Sequence, residues 1–249
     1  MGTAPLIELD STRPGAVDGR RLRAIAFQDV RMAYLAEHGL ARGRALVLGG
    51  GTGELPHGMA RAGMDVTALD PSPAATRIAE AAAGDLPVAH RTARAEDFDV
   101  PPASFDLVYA ADTFEITGDL DRVVELAARA LRPGGALVYD TVNRTVPAKL
   151  VYLGAFQRLP WTRIMPPRRY ASDRLRRPSD VAAVLSRHGL HAEDVCGFKP
   201  ASAVGLVRTV LARRRGAVGD DEVAALAGFV LDPGGPPVVT YLGHARKPA

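Results

Sequence analysis

Only one cysteine, Cys196, occurs in the 249 residues, so the chain has no internal disulfide. A reducing compartment is the natural expectation. No run of 18 apolar residues occurs, which predicts no transmembrane helix. Met1 to Asp18 carries acids and lacks an apolar stretch of the kind a signal peptide needs, so a cytoplasmic protein is expected. No Cys/His cluster has zinc-ligand spacing, and no metal site is expected. His188 and His191 lack a third ligand nearby and read as surface or capping residues. Internal repeats and low-complexity tracts are absent as well.

The net positive charge is not spread evenly but is concentrated in one stretch. Arg158 to Arg177 holds seven arginines and one acid, Asp173, a local charge of +6 in a chain of net charge +3. The remainder is therefore at −3. That distribution argues against a nucleic-acid partner, whose phosphates demand a broad basic face, and for a local site facing an anion.

What is present is a regular alternation. Residues 1–19, rich in Pro, Gly and Asp, read as a loose arm, and residues 20–39 as a helix stopped by Gly39. Short apolar strands are expected at 45–48, 65–69, 88–93, 105–111 and 136–142, with helices between them. Ser72 and Pro73 begin one of these helices as N-cap and first residue. A further helix is expected at 178–189, a sixth strand at 191–197, mainly helix over 200–231, and a last strand at 238–245. The pattern predicts an α/β, Rossmann-like, doubly wound, mostly parallel seven-stranded sheet with helices on both faces. Residues 144–177 interrupt it after the fifth strand with four prolines, Trp161 and the arginine cluster, and read as a lid over the ligand crevice of a domain spanning 20–249.

The first strand runs into GGGTG, which puts Gly49, Gly51 and Gly53 in GxGxG spacing. Without Cβ atoms the loop lets a ligand approach the backbone. A dinucleotide fingerprint would need glycine at position 54, where Glu54 stands; an acid at that helix start repels a pyrophosphate and disfavours an NAD-dependent oxidoreductase. Asp70 closes the second strand, placed to accept hydrogen bonds from the ribose hydroxyls of an adenosine.

With RMAYLAEHG, LVLGGGTGELPHGMARAGMDVTALD, SFDLVYAADTFE, ELAARALRPGG and above all TVNRTVPAKL, the chain resembles class I S-adenosylmethionine-dependent methyltransferases, and more closely the UbiG-like 3-demethylubiquinol 3-O-methyltransferase family, over about residues 20–198. The resemblance implies S-adenosylmethionine as cofactor and S-adenosylhomocysteine as product. Arg31 would pair with the methionyl carboxylate; Gly49, Gly51 and Gly53 would line the amino-acid end. Asp70 would hold the ribose, Ala95 and Glu96 would lie against the adenine, and Ala111 beside the sulfonium. Asp112 and Glu115 match two acidic positions that some members use with magnesium, an ion nothing else in this sequence requires. They are the candidate catalytic acids, with His57 a weaker candidate base. The chain makes three departures from the family: Val47 and Leu48 stand where the first strand usually carries an acid, Glu115-Ile116 replaces the usual Glu-His, and Arg94 replaces the acid before Ala95-Glu96.

The expected reaction is O-methylation of a phenol, catechol or quinol-type small molecule. Methylation of a soluble specialised metabolite at nitrogen or carbon is the first alternative, and a methyltransferase-fold protein that binds the cofactor without transferring methyl is the second. An apolar lid with Trp161 and flanking arginines would also suit peripheral contact with a membrane.

Overall fold

The computed structural model describes residues 16–249. A 19-residue helix, α1 (Gly19–Glu37), leads into β1 (Arg44–Leu48), α2 (Glu54–Arg61), β2 (Asp65–Asp70), α3 (Pro73–Ala83), β3 (Val88–Thr92) and β4 (Phe105–Ala110). Then follow α4 (Leu120–Ala130), β5 (Leu131–Val142), the short α5 (Val146–Lys149) with a π-helical turn at 150–155, α6 (Pro178–Arg187) and β6 (His191–Pro200). The chain closes with α7 (Ala203–Arg214), α8 (Asp220–Leu226), β7 (Phe229–Asp232) and β8 (Thr240–Arg246).

The strands form one sheet in the order β3-β2-β1-β4-β5-β8-β6-β7. The first five pair in parallel, and β8, β6 and β7 extend the sheet antiparallel. Side chains alternate across the pleat, and β1 shows it: Leu46 and Leu48 join a core with α4 and α6, whereas Ala45 and Val47 join one with α1 and α2. Because β1 lies between β2 and β4, chain direction switches there, and the crevice at the carboxyl ends of β1 and β4 is left open.

The mostly parallel, two-faced sheet is as expected, but it has eight strands. The eighth is β7, within a stretch expected to be helical. Phe229–Asp232 pairs antiparallel with Gly197–Pro200 of β6, and the Phe229 ring packs 4.6 Å from Phe27 and 5.9 Å from Phe198. Four residues are too few for periodicity to tell strand from helix; a free sheet edge and an aromatic contact decide. β5 also starts earlier than expected. Leu131 pairs with Phe105 and Ala136 with Leu107, so the Arg132–Gly135 turn bulges out inside the strand.

Of the expected arm, residues 1–15 lie outside the described residues. Val17 is fully buried and Asp18 caps α1, accepting hydrogen bonds from the backbone N–H groups of Arg20 and Arg21, so the chain is tied down before residue 20. The segment 144–177 packs on α1 at close range: a Cβ on Gly19 would overlap the Ile164 carbonyl oxygen. Tyr152, Ile164, Met165, Tyr170 and Leu175 share a core with Leu22 and Val210. Two of its arginines, expected to face an anion, serve the backbone: Arg174 donates to the Ile116 carbonyl at 2.9 Å, and Arg176 to that of Phe114 at 2.9 Å. Among the described residues no helix is long and apolar enough to cross a membrane.

Candidate active site

The crevice holds a cleft of about 260 Å³. Its floor is the loop between β1 and α2. Gly49 stands at φ +81°, where a Cβ would overlap the Ala111 carbonyl oxygen. Gly53, at φ +101°, has the His57 ring directly behind it. Gly51, at φ +56°, has nothing within 4 Å of its Cβ position and opens onto the cleft. These positive φ angles favour glycine, and the spacing follows from them.

Asp70 anchors this loop from the end of β2. One carboxylate oxygen accepts from Gly51 N–H and the other from Ser72 N–H, both at 2.9 Å. The carboxylate is thus oriented before any ligand arrives, with lone pairs left for further donors. On the neighbouring wall lie Ala95 and Glu96. Thr117 donates to Glu96 at 2.6 Å. Burial raises the Glu96 pKa, but the Thr117 bond, backbone donors and Arg94 outweigh it and hold the carboxyl below its ordinary value. Glu54 opens α2, where Thr52 donates to it and Arg21 lies 3.4 Å away.

Behind the cleft sits an ionic network carried by α1. Arg31 is 1% exposed; its Nη2 lies 2.8 Å from Asp140 and 2.9 Å from Asp112. Its Nε has no hydrogen-bond partner among the described residues. Eight residues earlier on α1, Arg23 reaches Glu115 at 2.7 Å, Asp112 at 2.9 Å and the Tyr170 hydroxyl at 2.9 Å. Asp112 holds the left-handed φ of +48°, a strained setting for a non-glycine residue that these partners maintain. Burial opposes its ionisation, yet Arg23 and Arg31 prevail and hold its carboxyl well below the usual carboxylate range. Asp140 goes the other way, pushed up to about 7 by burial and by Asp112 despite Arg31. The neighbouring carboxylates are driven apart because two like charges cannot both ionise cheaply in one buried place.

The expected residues therefore divide. Arg31, Gly49, Gly51, Asp70, Ala95, Glu96, Ala111 and Asp112 all line the cleft. Gly53 shapes the loop from outside that lining. Glu115 is not brought to the cleft. It is 0% exposed, with one oxygen taken by Arg23 and the other by Thr141 at 3.0 Å, so its carboxylate has no free face toward a reacting group. His57 lies behind the glycine loop with Nε2 3.1 Å from that of His90. Burial and Arg61 lower its pKa, and the same burial, with His57 opposite, takes His90 down to about 4. His188 is the C-cap of α6, 3.2 Å from Asp121, and His191 begins β6. Missed in the sequence were Asp140, hidden as an acid within an apolar strand, and Arg23, one of several arginines on α1.

Next to the cleft is a second, apolar cavity of about 440 Å³, walled by Phe27 of α1, Tyr152, Phe156 and Met165 of the inserted segment, Phe198 of β6 and Val210 of α7. Arg23 lies in its wall and pairs with Asp112 in the wall of the cleft.

Fold and cleft together describe a class I methyltransferase, and comparison with known proteins agrees. Residues 46–139 match the family described as methyltransferase domain. The chain is similar to a ubiquinone biosynthesis O-methyltransferase of Xylella fastidiosa, 32% identical over 178 residues, which are 70% of this chain and 72% of that protein. It is also similar to one of Xanthomonas euvesicatoria, 33% identical over 186 residues (73% and 77%). In fold it matches an S-adenosylmethionine-dependent methyltransferase of Mesorhizobium loti, TM-score 0.62 at 24% identity, over 91% of this chain and all of that one. The chain belongs to the methyltransferase-domain family and is an S-adenosylmethionine-dependent methyltransferase.

Proposed function

We propose that the protein O-methylates a phenol, catechol or quinol-type small molecule whose apolar body occupies the second cavity and whose hydroxyl reaches the cleft beside Asp112. The observation that carries this reading is the Arg23–Asp112 pair, the one ion pair joining the two cavities among those described. The names of the similar ubiquinone O-methyltransferases support it further.

The residues present fit the cofactor. Gly51 leaves a cradle that a Cβ would occupy, Asp70 is oriented with spare acceptor capacity, and the buried Arg31 Nε lacks a partner. Asp70 would hold the ribose hydroxyls, Gly49 and Gly51 the amino-acid end, Arg31 the carboxylate, and Ala95 and Glu96 the adenine edge. When bound, S-adenosylmethionine supplies an electrophilic methyl group. The protein's part is to align the acceptor oxygen and manage its proton. Asp112, ionised at the cleft wall, is the group placed to accept a hydrogen bond from the acceptor hydroxyl. Arg23 and Arg31 keep that carboxylate charged and aimed; Glu115 positions Arg23. No metal enters this reading.

A methylation assay over catechols with alkyl substituents of increasing length tests both halves. We expect kcat/KM to rise with apolar bulk, by up to about 0.8 kcal/mol or fourfold per methylene buried. Asp112→Asn should lower kcat by about 10²-fold or more while S-adenosylhomocysteine affinity changes little. Indifference to chain length would remove the cavity from the acceptor site, and an unimpaired Asp112→Asn would leave a mechanism of proximity alone.

The inserted segment also leaves Val146, Leu150, Leu159 and Trp161 exposed, the last at 75%, with Arg158 and Arg168 exposed nearby. Such a surface supports peripheral contact with an anionic membrane. Co-sedimentation with anionic liposomes should retain the protein and Trp161→Ala should weaken retention; no retention of the parent protein refutes the contact.

A further inference from the structure

A second group of ligating side chains lies away from the cleft, where the end of α1 meets β6 and β8. It unites His38, the C-cap of α1, Asp194 of β6 and His244 of β8. One ligating atom from each lies within 4.8 Å of the others. His38 Nε2 is 3.5 Å from Asp194 Oδ2. Two ligands bound to a tetrahedral zinc ion at 2.0–2.1 Å sit about 3.3 Å apart, so this pair already has the required separation. The fully buried Tyr34 forms the floor, its hydroxyl 2.8 Å from Asp194 Oδ2 and 2.9 Å from His244 Nδ1. The other nitrogen of His244, Nε2, is 3.1 Å from Glu193.

The Glu193 contact at Nε2 leaves Nδ1, the nitrogen beside the Tyr34 hydroxyl, as the atom that His244 can offer to an ion shared with His38 and Asp194. A carboxylate on the far nitrogen is the usual way a ligating histidine is oriented.

We propose that His38, Asp194 and His244 form a binding site for a divalent transition ion, best matched by zinc, with Glu193 orienting His244. Two imidazoles and a carboxylate suit zinc better than magnesium or calcium, which prefer oxygen alone. Side chains of His38 and Asp194 are about one-third exposed, at 31% and 34%, which gives an ion its entry. The site pins the last turn of α1 to the antiparallel half of the sheet. The same helix carries Arg23 and Arg31, so the ion fixes the element that bears the ionic network.

The test uses the full chain without an affinity tag, stripped with a chelator and titrated with Co²⁺ and with ZnCl₂. One ion per chain is expected, with the visible absorption of tetrahedral cobalt and displacement of cobalt by zinc. His244→Ala should abolish the cobalt spectrum, as should His38→Ala at a position whose side chain is about one-third exposed. Glu193→Gln should weaken binding by roughly 10-fold or more. Zinc should raise the melting temperature of the parent protein and not of His38→Ala. Absence of the spectrum in the parent protein overturns the proposal, and so does a spectrum that both histidine variants retain.

Discussion

Arg23→Met is expected to lower the stability of the protein by about 3–5 kcal/mol, the cost of breaking a buried ion pair and leaving one charge uncompensated. The guanidinium is 5% exposed and serves three partners, Glu115, Asp112 and Tyr170. It also lies over the rings of Phe27 and Tyr152, each at 5.1 Å. Methionine can replace the packing but not the charge. Glu115, fully buried, would keep only Thr141 as a partner. Urea denaturation measures the loss. Arg23→Met combined with Glu115→Gln should recover part of it, because the stranded charge is then gone as well. Arg23→Lys should fall between, since an ammonium cannot span the three partners as a planar guanidinium does. A loss under about 1 kcal/mol in Arg23→Met would mean that the network contributes little to folding.

Asp70→Ala is expected to weaken S-adenosylhomocysteine binding by roughly 10- to 150-fold, from a charge-assisted hydrogen bond worth about 1.5–3 kcal/mol. The carboxylate works twice. It would accept from the ribose, and it already holds Gly51 and Ser72, so its removal also frees the loop that the ligand must find in place. Calorimetry reads the affinity, and a melting curve separates binding from folding. Unchanged affinity in a folded Asp70→Ala protein would reduce Asp70 to an organiser of the turn.

The parallel half of the fold was legible because its signals are local. Strand-length apolar runs such as Ala45–Leu48, the N-cap Ser72 with Pro73 after it, and the glycines at 49, 51 and 53 each state their conformation within a few residues. The position of Asp70 was legible because a strand end at a set distance from a glycine loop falls beside that loop. The methyltransferase class followed from that frame together with the resemblance. The inserted segment was marked by its prolines, and it does interrupt the alternation where expected.

Tertiary structure alone decided the rest. β7 is a strand because the edge of β6 was free to receive it. Glu115 and Asp112 lie three residues apart and look alike in sequence. The turn after β4 sends one under α1 to Arg23 and Thr141, and leaves the other in the cleft wall. Arg174 and Arg176, two members of a basic run that reads as facing an anion, bind carbonyls of the 114–117 turn. His38, Asp194 and His244 come together only when α1 lies across β6 and β8, over more than 150 residues of intervening chain. What the amino-acid sequence determines by itself is each element whose cause lies within a turn or a strand's length. Which charges meet, and so which acid is available for chemistry, depends on contacts between distant elements, because a Coulomb interaction is set by separation in space and by burial, and neither is written in the order of the residues.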